Sequence, residues 1–217
     1  TSSRYSSLMQ QRLTKGHGVI ALIICAAPLS FGFIVPVSLL INWAIDTYLD
    51  VLGKDFYLLF FNSLFLAFIT SILAVGIALF MAYSNRNNQS LLNKIMVRLV
   101  SMGYAIPGTV IAVGVLIPFA WFDNSLDNFL IENFNISSGL LISGTVFILV
   151  FAYLVRFLAV SINTIEAALV KIKPVMDEVA KTTGMHAINI VRSIHMPMMR
   201  GSLLTASLLV FVDVLKE

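Results

Sequence analysis

The amino-acid sequence predicts an all-α membrane protein built as a multi-helix bundle, and three observations predict it. The chain of 217 residues is 59% hydrophobic and 12% charged, against about 45–50% and about 25% in ordinary soluble domains. Four continuous apolar runs reach the ~20 residues needed to cross a hydrocarbon core, and a fifth begins near Met198. Basic residues crowd every second loop, as a single threading through a bilayer requires. A mean hydropathy of +0.92 leaves too few polar side chains to cover a surface in water, so lipid is the natural solvent.

Residues 1–18 are polar and basic and read as a cytoplasmic lead-in. The first span is expected over 19–45, with Pro28 and Pro36 inside it. That run exceeds the ~7–15 apolar residues of a signal-peptide core. The second is expected over 56–83, the third over 95–122, the fourth over 139–162 and the fifth over 198–217, with a cytoplasmic segment over 163–197. The third carries Gly103, Pro107, Gly108, Gly114 and Pro118. Such residues either break a helix beside a cavity or let helices approach closely. Strands of an outer-membrane barrel would alternate apolar and polar over ~10 residues, and these runs do not. The chain opens on Thr1 and closes within an apolar run, so both ends read as cuts in a longer protein.

Charge sets the threading. Arg4, Arg12 and Lys15 precede the first run, Arg86, Lys94 and Arg98 lie between the second and third, and Arg156, Lys171, Lys173, Lys181, Arg192 and Arg200 bound or fill 163–197. The intervening loops hold Asp46, Asp50, Lys54 and Asp55, then Asp123, Asp127 and Glu132. Cytoplasmic loops are enriched in Lys and Arg, so the N-terminus and 163–197 are expected inside the cell, in a bacterial inner membrane. The acidic loops are expected to face out.

Several functions are disfavoured. Cys25 is the single cysteine and sits in an apolar run, so no disulfide framework follows. The basic residues are not interleaved with aromatics as single-stranded nucleic acid would need. His17, His186 and His195 lack metal-ligand spacing, and no clustered His, Asp, Glu or Ser suggests a reacting site. The chain has no GxxxxGK[ST] phosphate loop.

The segment 163–197 is the most informative. Pro174 suits a helix start, Asp177 and Glu178 complement the positive end of that helix, and Gly184 suits its stop. A second short helix is expected over about 187–195, and Pro197 interrupts the chain before the fifth run. Two short amphipathic helices joined at a glycine form either a handle for a cytoplasmic partner or a hairpin lying on the membrane.

The spacing within this segment resembles the signature loop of binding-protein-dependent ABC importer permeases. The family pattern is Glu-Ala-Ala, three residues, Gly, nine residues, Ile, one residue, Leu-Pro. The chain has Glu178-Val179-Ala180, three residues, Gly184, nine residues, Ile194, one residue, Met196-Pro197. Val179 and Met196 are apolar exchanges. Ser101 to Gly108, Tyr153 to Val160 and Phe211 to Glu217 are also similar to the second half of fused ferric-iron permeases. The resemblance implies a type I importer transmembrane domain and a coupling helix gripped by an ATPase subunit. Asp177, Glu178, Ala180, Lys181, Thr182, Thr183, Gly184, Met185, Ile194 and Pro197 would make that contact. It also implies a homologous permease half, a dimer of cytoplasmic ATPase subunits that holds ATP and Mg, and a periplasmic binding protein. The implied substrate is ferric iron, with thiamine, polyamines or oxyanions carried by relatives. No cofactor is expected on this chain, which is a transport subunit and not an enzyme.

Asp213, Lys216 and Glu217 are the charges expected within a span. Such groups mark either an internal ion-pair network or a pathway. Arg156, at the inner end of the fourth run, is expected to snorkel to the interface, with an ion pair as alternative. The competing class, an ion-coupled secondary transporter, usually has ionisable groups near mid-membrane, and the first four runs offer none.

Overall fold

The computed structural model describes residues 14–88 and 90–217. Most of the expected lead-in, including Arg4 and Arg12, lies outside the described residues. The described residues are helical, without strands, and fall into two compact units, one ending at Leu59 and the other spanning Phe60–Glu217.

In the first unit, α1 (Lys15–Leu29) passes through a π-helical stretch (Ser30–Ile34) into α2 (Val35–Val51). The candidate span is Gly16–Tyr48, 33 residues. At 1.5 Å per residue it measures ~50 Å, longer than a ~30 Å hydrocarbon core. Pro36 does not break it. A proline ring crowds the carbonyl four residues back, and the π stretch immediately before Pro36 widens the turn that must accept it.

In the second unit, the part of α3 (Lys54–Asn87) beyond Leu59 buries Ala67, Thr70, Ser71, Ala74, Ala78 and Ala82, all nearly inaccessible. These small residues recur on one face and let another helix approach closely. The approaching helices are α6 (Val146–Leu169) and α10 (Arg200–Leu215). Phe157, Ile162, Ile165 and Leu169 of α6 meet Ala206, Val210 and Val214 of α10 and the alanines of α3 in one core. The surrounding exposed Phe, Leu and Ile side chains suit lipid contact.

The third run departs from expectation. The stretch 95–122 is not one helix: α4 (Leu91–Ser101) ends in a 3₁₀ turn (Gly103–Ala105), and α5 (Gly108–Phe134) begins afresh. Pro107 forces the residue before it out of the helical region, and Ile106 is extended at φ −84°, ψ 132°. Ser90 caps α4 by accepting a hydrogen bond from the Asn93 N–H at 3.2 Å. α4 exposes Leu91, Leu92, Ile95, Met96 and Leu99 beside Lys94 and Arg98, an amphipathic arrangement. The apolar crossing helix is Gly108–Phe134.

α5 runs past the expected end because its carboxylates find partners. Asp123, 1% exposed, accepts from the Ile142 and Ser143 N–H groups and from Ser143 Oγ at 2.6 Å. Asp127 accepts from the Ser138 and Gly139 N–H groups at 2.7 and 3.0 Å. These bonds draw 137–143 into a loop, so α6 begins at Val146 rather than near 139 and continues to Leu169. Both carboxylates thus fold the loop, whereas Glu132, further along α5, is exposed. Replacing Asp123 by alanine is expected to strand those loop donors, at about 1–3 kcal/mol. Limited proteolysis should then cut within 137–143 while the rest of the chain stays resistant.

Candidate coupling segment

Within the expected cytoplasmic segment 163–197, residues 163–169 continue α6, and the rest folds separately. It comprises α7 (Pro174–Thr182), α8 (Ala187–Ile190), a π-helical stretch (Val191–His195) and α9 (Met196–Met198). Pro174 occupies the first turn of α7, where its missing N–H costs nothing. Gly184 adopts φ +82°. The Gly184 N–H reaches the Lys181 carbonyl at 3.0 Å and the Met185 N–H reaches the Ala180 carbonyl at 3.1 Å. That pair of bonds is a Schellman stop, and the apolar contact of Ala180 with Met185 completes it.

Pro197 does not itself turn the chain. The π stretch before it accommodates the ring, as at Pro36. The chain bends two residues later, at Met199, by 84° between Ala187–Met198 and Arg200–Leu215.

The segment is fastened to the bundle by a cluster the sequence did not reveal. Arg86, near the end of α3, donates from Nε to Asp177 Oδ2 at 2.8 Å, from Nη1 to the Leu169 carbonyl at 2.5 Å and from Nη2 to the Ile172 carbonyl at 2.9 Å. The other oxygen of Asp177 meets His195 Nε2 at 2.6 Å. His195 is fully buried, with its ring edge-on to Tyr83 at 5.3 Å. An ionised carboxylate only accepts, so Nε2 is the nitrogen that donates to Asp177. Asp177 lies in the first turn of α7, as expected, and from there also serves as an ion-pair partner. Nearby, Lys181 Nζ donates to Asn87 Oδ1 at 2.5 Å and Asn85 donates to Glu166 at 3.2 Å. Two segments expected on the same membrane side are thus in contact.

The other expected contact residues divide by environment. Glu178, Lys181, Thr182, Gly184 and Pro197 are exposed, Ala180 is buried, and Met185 and Ile194 are half-buried. Thr182 and Thr183 turn their hydroxyls back to the Val179 and Ala180 carbonyls at 2.7 and 2.8 Å. Val175, Met176, Val179, Ala180, Thr183, Met185 and Ile194 line an almost wholly apolar groove of about 420 Å³. Val179 stands in the signature motif, whereas Val175 and Met176 carry no motif and are marked only by their spacing on a short amphipathic helix.

The charges of the fifth run lie elsewhere. Lys216 donates to Asp213 at 2.5 Å, one turn apart, and Arg156 donates to Glu217 Oε2 at 2.8 Å. Asp213 and Glu217 therefore each pair with a different cation. Arg156 is an ion-pair partner rather than a free snorkelling side chain, and it also covers the Phe157 ring at 5.4 Å. With Gly108, Thr109, Tyr153 and Glu217 it lines a cleft of about 270 Å³. No group of three or more His, Cys, Asp or Glu among the described residues is placed to hold a metal ion.

Residues 74–217 match the family model described as binding-protein-dependent transport system inner membrane component. The matched region contains 170–199 and α4 to α10, with the second part of α3. Over 201 residues the chain is 27% identical to the Fe(3+)-transport system permease protein FbpB 2 of Haemophilus influenzae, covering 87% of this chain and 37% of that protein. The chain thus spans little more than a third of that relative's length. No solved structure matches. By its family match and its all-helical, apolar architecture, the chain belongs to the binding-protein-dependent transport system inner membrane components, the non-catalytic permease parts of ABC importers.

Proposed function

We propose that this permease imports ferric iron, and that Val170–Met199 is the element by which a cytoplasmic ATPase drives it. The observation that carries the docking reading is the apolar groove formed by α7, Met185 and Ile194. An exposed, contiguous apolar hollow at the end of a helical bundle suits a partner surface. Glu178, Lys181 and Thr182, exposed beside it, supply a polar rim. Two ATPase subunits hold ATP and Mg, one on this segment and one on a homologous permease half. Closing on nucleotide, they draw the two segments together and turn the central cavity outward toward a periplasmic binding protein. Hydrolysis and release reset it. In this threading the N-terminus and the coupling segment are cytoplasmic.

The iron reading rests on the similarity to an Fe(3+)-transport system permease protein. Uptake of labelled ferric iron by cells with and without the complete gene tests it, with thiamine and putrescine as competitors. Gene-dependent iron uptake that ignores both competitors is expected. Unchanged iron uptake with reduced thiamine or putrescine uptake would leave the importer and reject the substrate. Asp213, Lys216 and Glu217 each have an ion-pair partner, which favours a packing role over a cation pathway.

The docking reading has its own test. Val179 is 56% exposed on the groove, so Val179→Glu leaves the fold intact and places a charge where an apolar partner must sit. Co-purification of the ATPase subunit should fall by about tenfold or more, the effect of leaving a charge unpaired in an interface. Full retention of that subunit would reject the groove as its seat.

A further inference from the structure

We infer that Arg86, together with His195, is a positioning residue that carries movement of the coupling segment into the spanning helices. The inference rests on the docking reading above. The segment is joined covalently to α6 at one end and to α10 at the other, but no covalent link near it leads to α3. Arg86 makes the most extensive polar connection, beside the Lys181–Asn87 hydrogen bond and the Tyr83–His195 ring contact. Its planar guanidinium spends one N–H on the α7 carboxylate and two on main-chain carbonyls at the end of α6 and in the turn that follows. A fork of this kind fixes direction as well as distance, which a lysine cannot do.

Asp177 extends the linkage. Its second oxygen holds His195, in the π-helical stretch that leads through α9 into α10. One carboxylate on α7 is therefore tied directly to the end of α3 and to the stretch that precedes α9 and α10, and through Arg86 to the end of α6. His195 is fully buried, and the side chains of Arg86 and Asp177 are 17% and 12% exposed, so water competes little for these bonds. A push on the groove side of α7 is delivered to three helices together. Without Arg86 only the Lys181–Asn87 hydrogen bond and the packing of Tyr83 against His195 would still join α3 to the segment, and neither has the directionality of the guanidinium fork.

The experiment uses the full-length permease with its ATPase subunit and binding protein in proteoliposomes, in a Cys25→Ser background. Spin labels at Phe65 on α3 and Leu204 on α10, both well exposed, report the ATP-dependent change in distance between the helices. ATPase retention and ATP hydrolysis are measured on the same samples. Arg86→Ala is expected to keep the ATPase subunit and its hydrolysis but to lose most of the distance change. Arg86→Lys should be intermediate. His195→Gln, which retains a donor toward Asp177, should resemble the parent, and His195→Ala should not. An unchanged ATP-dependent shift in Arg86→Ala overturns the inference. Loss of the ATPase subunit from Arg86→Ala also overturns it, since Arg86 would then only shape the docking surface. Retention of the subunit by Val179→Glu rejects the docking reading instead, whatever Arg86 does.

Discussion

Asp177→Ala is expected to be among the most destabilising substitutions in the coupling segment, and Glu178→Ala, one residue on, among the least. Removing Asp177 leaves the Arg86 Nε–H and the His195 Nε2–H facing an emptied, mostly buried site. Breaking a fully buried ion pair costs about 3–5 kcal/mol. The Arg86 and Asp177 side chains keep 17% and 12% of their exposure, and Arg86 retains its two carbonyl partners, so a loss of about 2–3 kcal/mol is the scaled expectation. Glu178 is exposed, and an exposed substitution away from special features stays within about 0.5 kcal/mol.

The measurement is thermal unfolding of the purified permease in detergent, followed by fluorescence-detected size exclusion, with protease sensitivity of 170–199 as the local readout. Asp177→Asn separates charge from shape. An amide presents an acceptor to only one of the two donors and a clashing N–H to the other, so it should recover little. Equal stability of Asp177→Ala and Glu178→Ala would mean that the Arg86–Asp177–His195 cluster does not hold the segment down.

These two neighbours also show what the sequence could and could not disclose. Spacing identified the signature loop, and the glycine stop and proline start of α7 follow from one-residue rules that depend on local backbone alone. The different duties of Asp177 and Glu178 do not, since they depend on a partner 91 positions away in the chain. Arg86 looked like one more positive-inside charge, and in sequence nothing distinguishes it from Lys94 or Arg98. His195 was set aside for lacking metal-ligand spacing, although its partner is a carboxylate 18 residues earlier. Long apolar runs located the spans because hydropathy is a local sum. The run over 95–122 misled because the sum does not register a break: Pro107 and the close approach at Gly103 divide it, and the carboxylates that lengthen α5 find their partners in a loop that hydropathy assigned to the fourth span.

That close approach is the basis of the other large expected effect. Gly103 is buried in the turn between α4 and α5, and a Cβ added there would overlap the main-chain carbonyl of Val155 on α6. The obstacle is backbone within the longest-buried helix of the bundle, so it cannot rotate aside as a side chain would. Gly103→Val should therefore cost at least the upper end of the overpacking range, about 3 kcal/mol, and should separate the turn from α6. The Arg156–Glu217 pair lies one residue further along α6, so the displacement should reach it as well. Gly114 offers the control, because a Cβ at that position on α5 meets nothing within 4 Å, and Gly114→Ala should be neutral or slightly stabilising through helix propensity. The same unfolding assay, with a cysteine pair joining Tyr104 to α6 as a proximity reporter, reads both variants. Wild-type stability for Gly103→Val would show that the turn packs less closely against Val155 than its backbone position indicates.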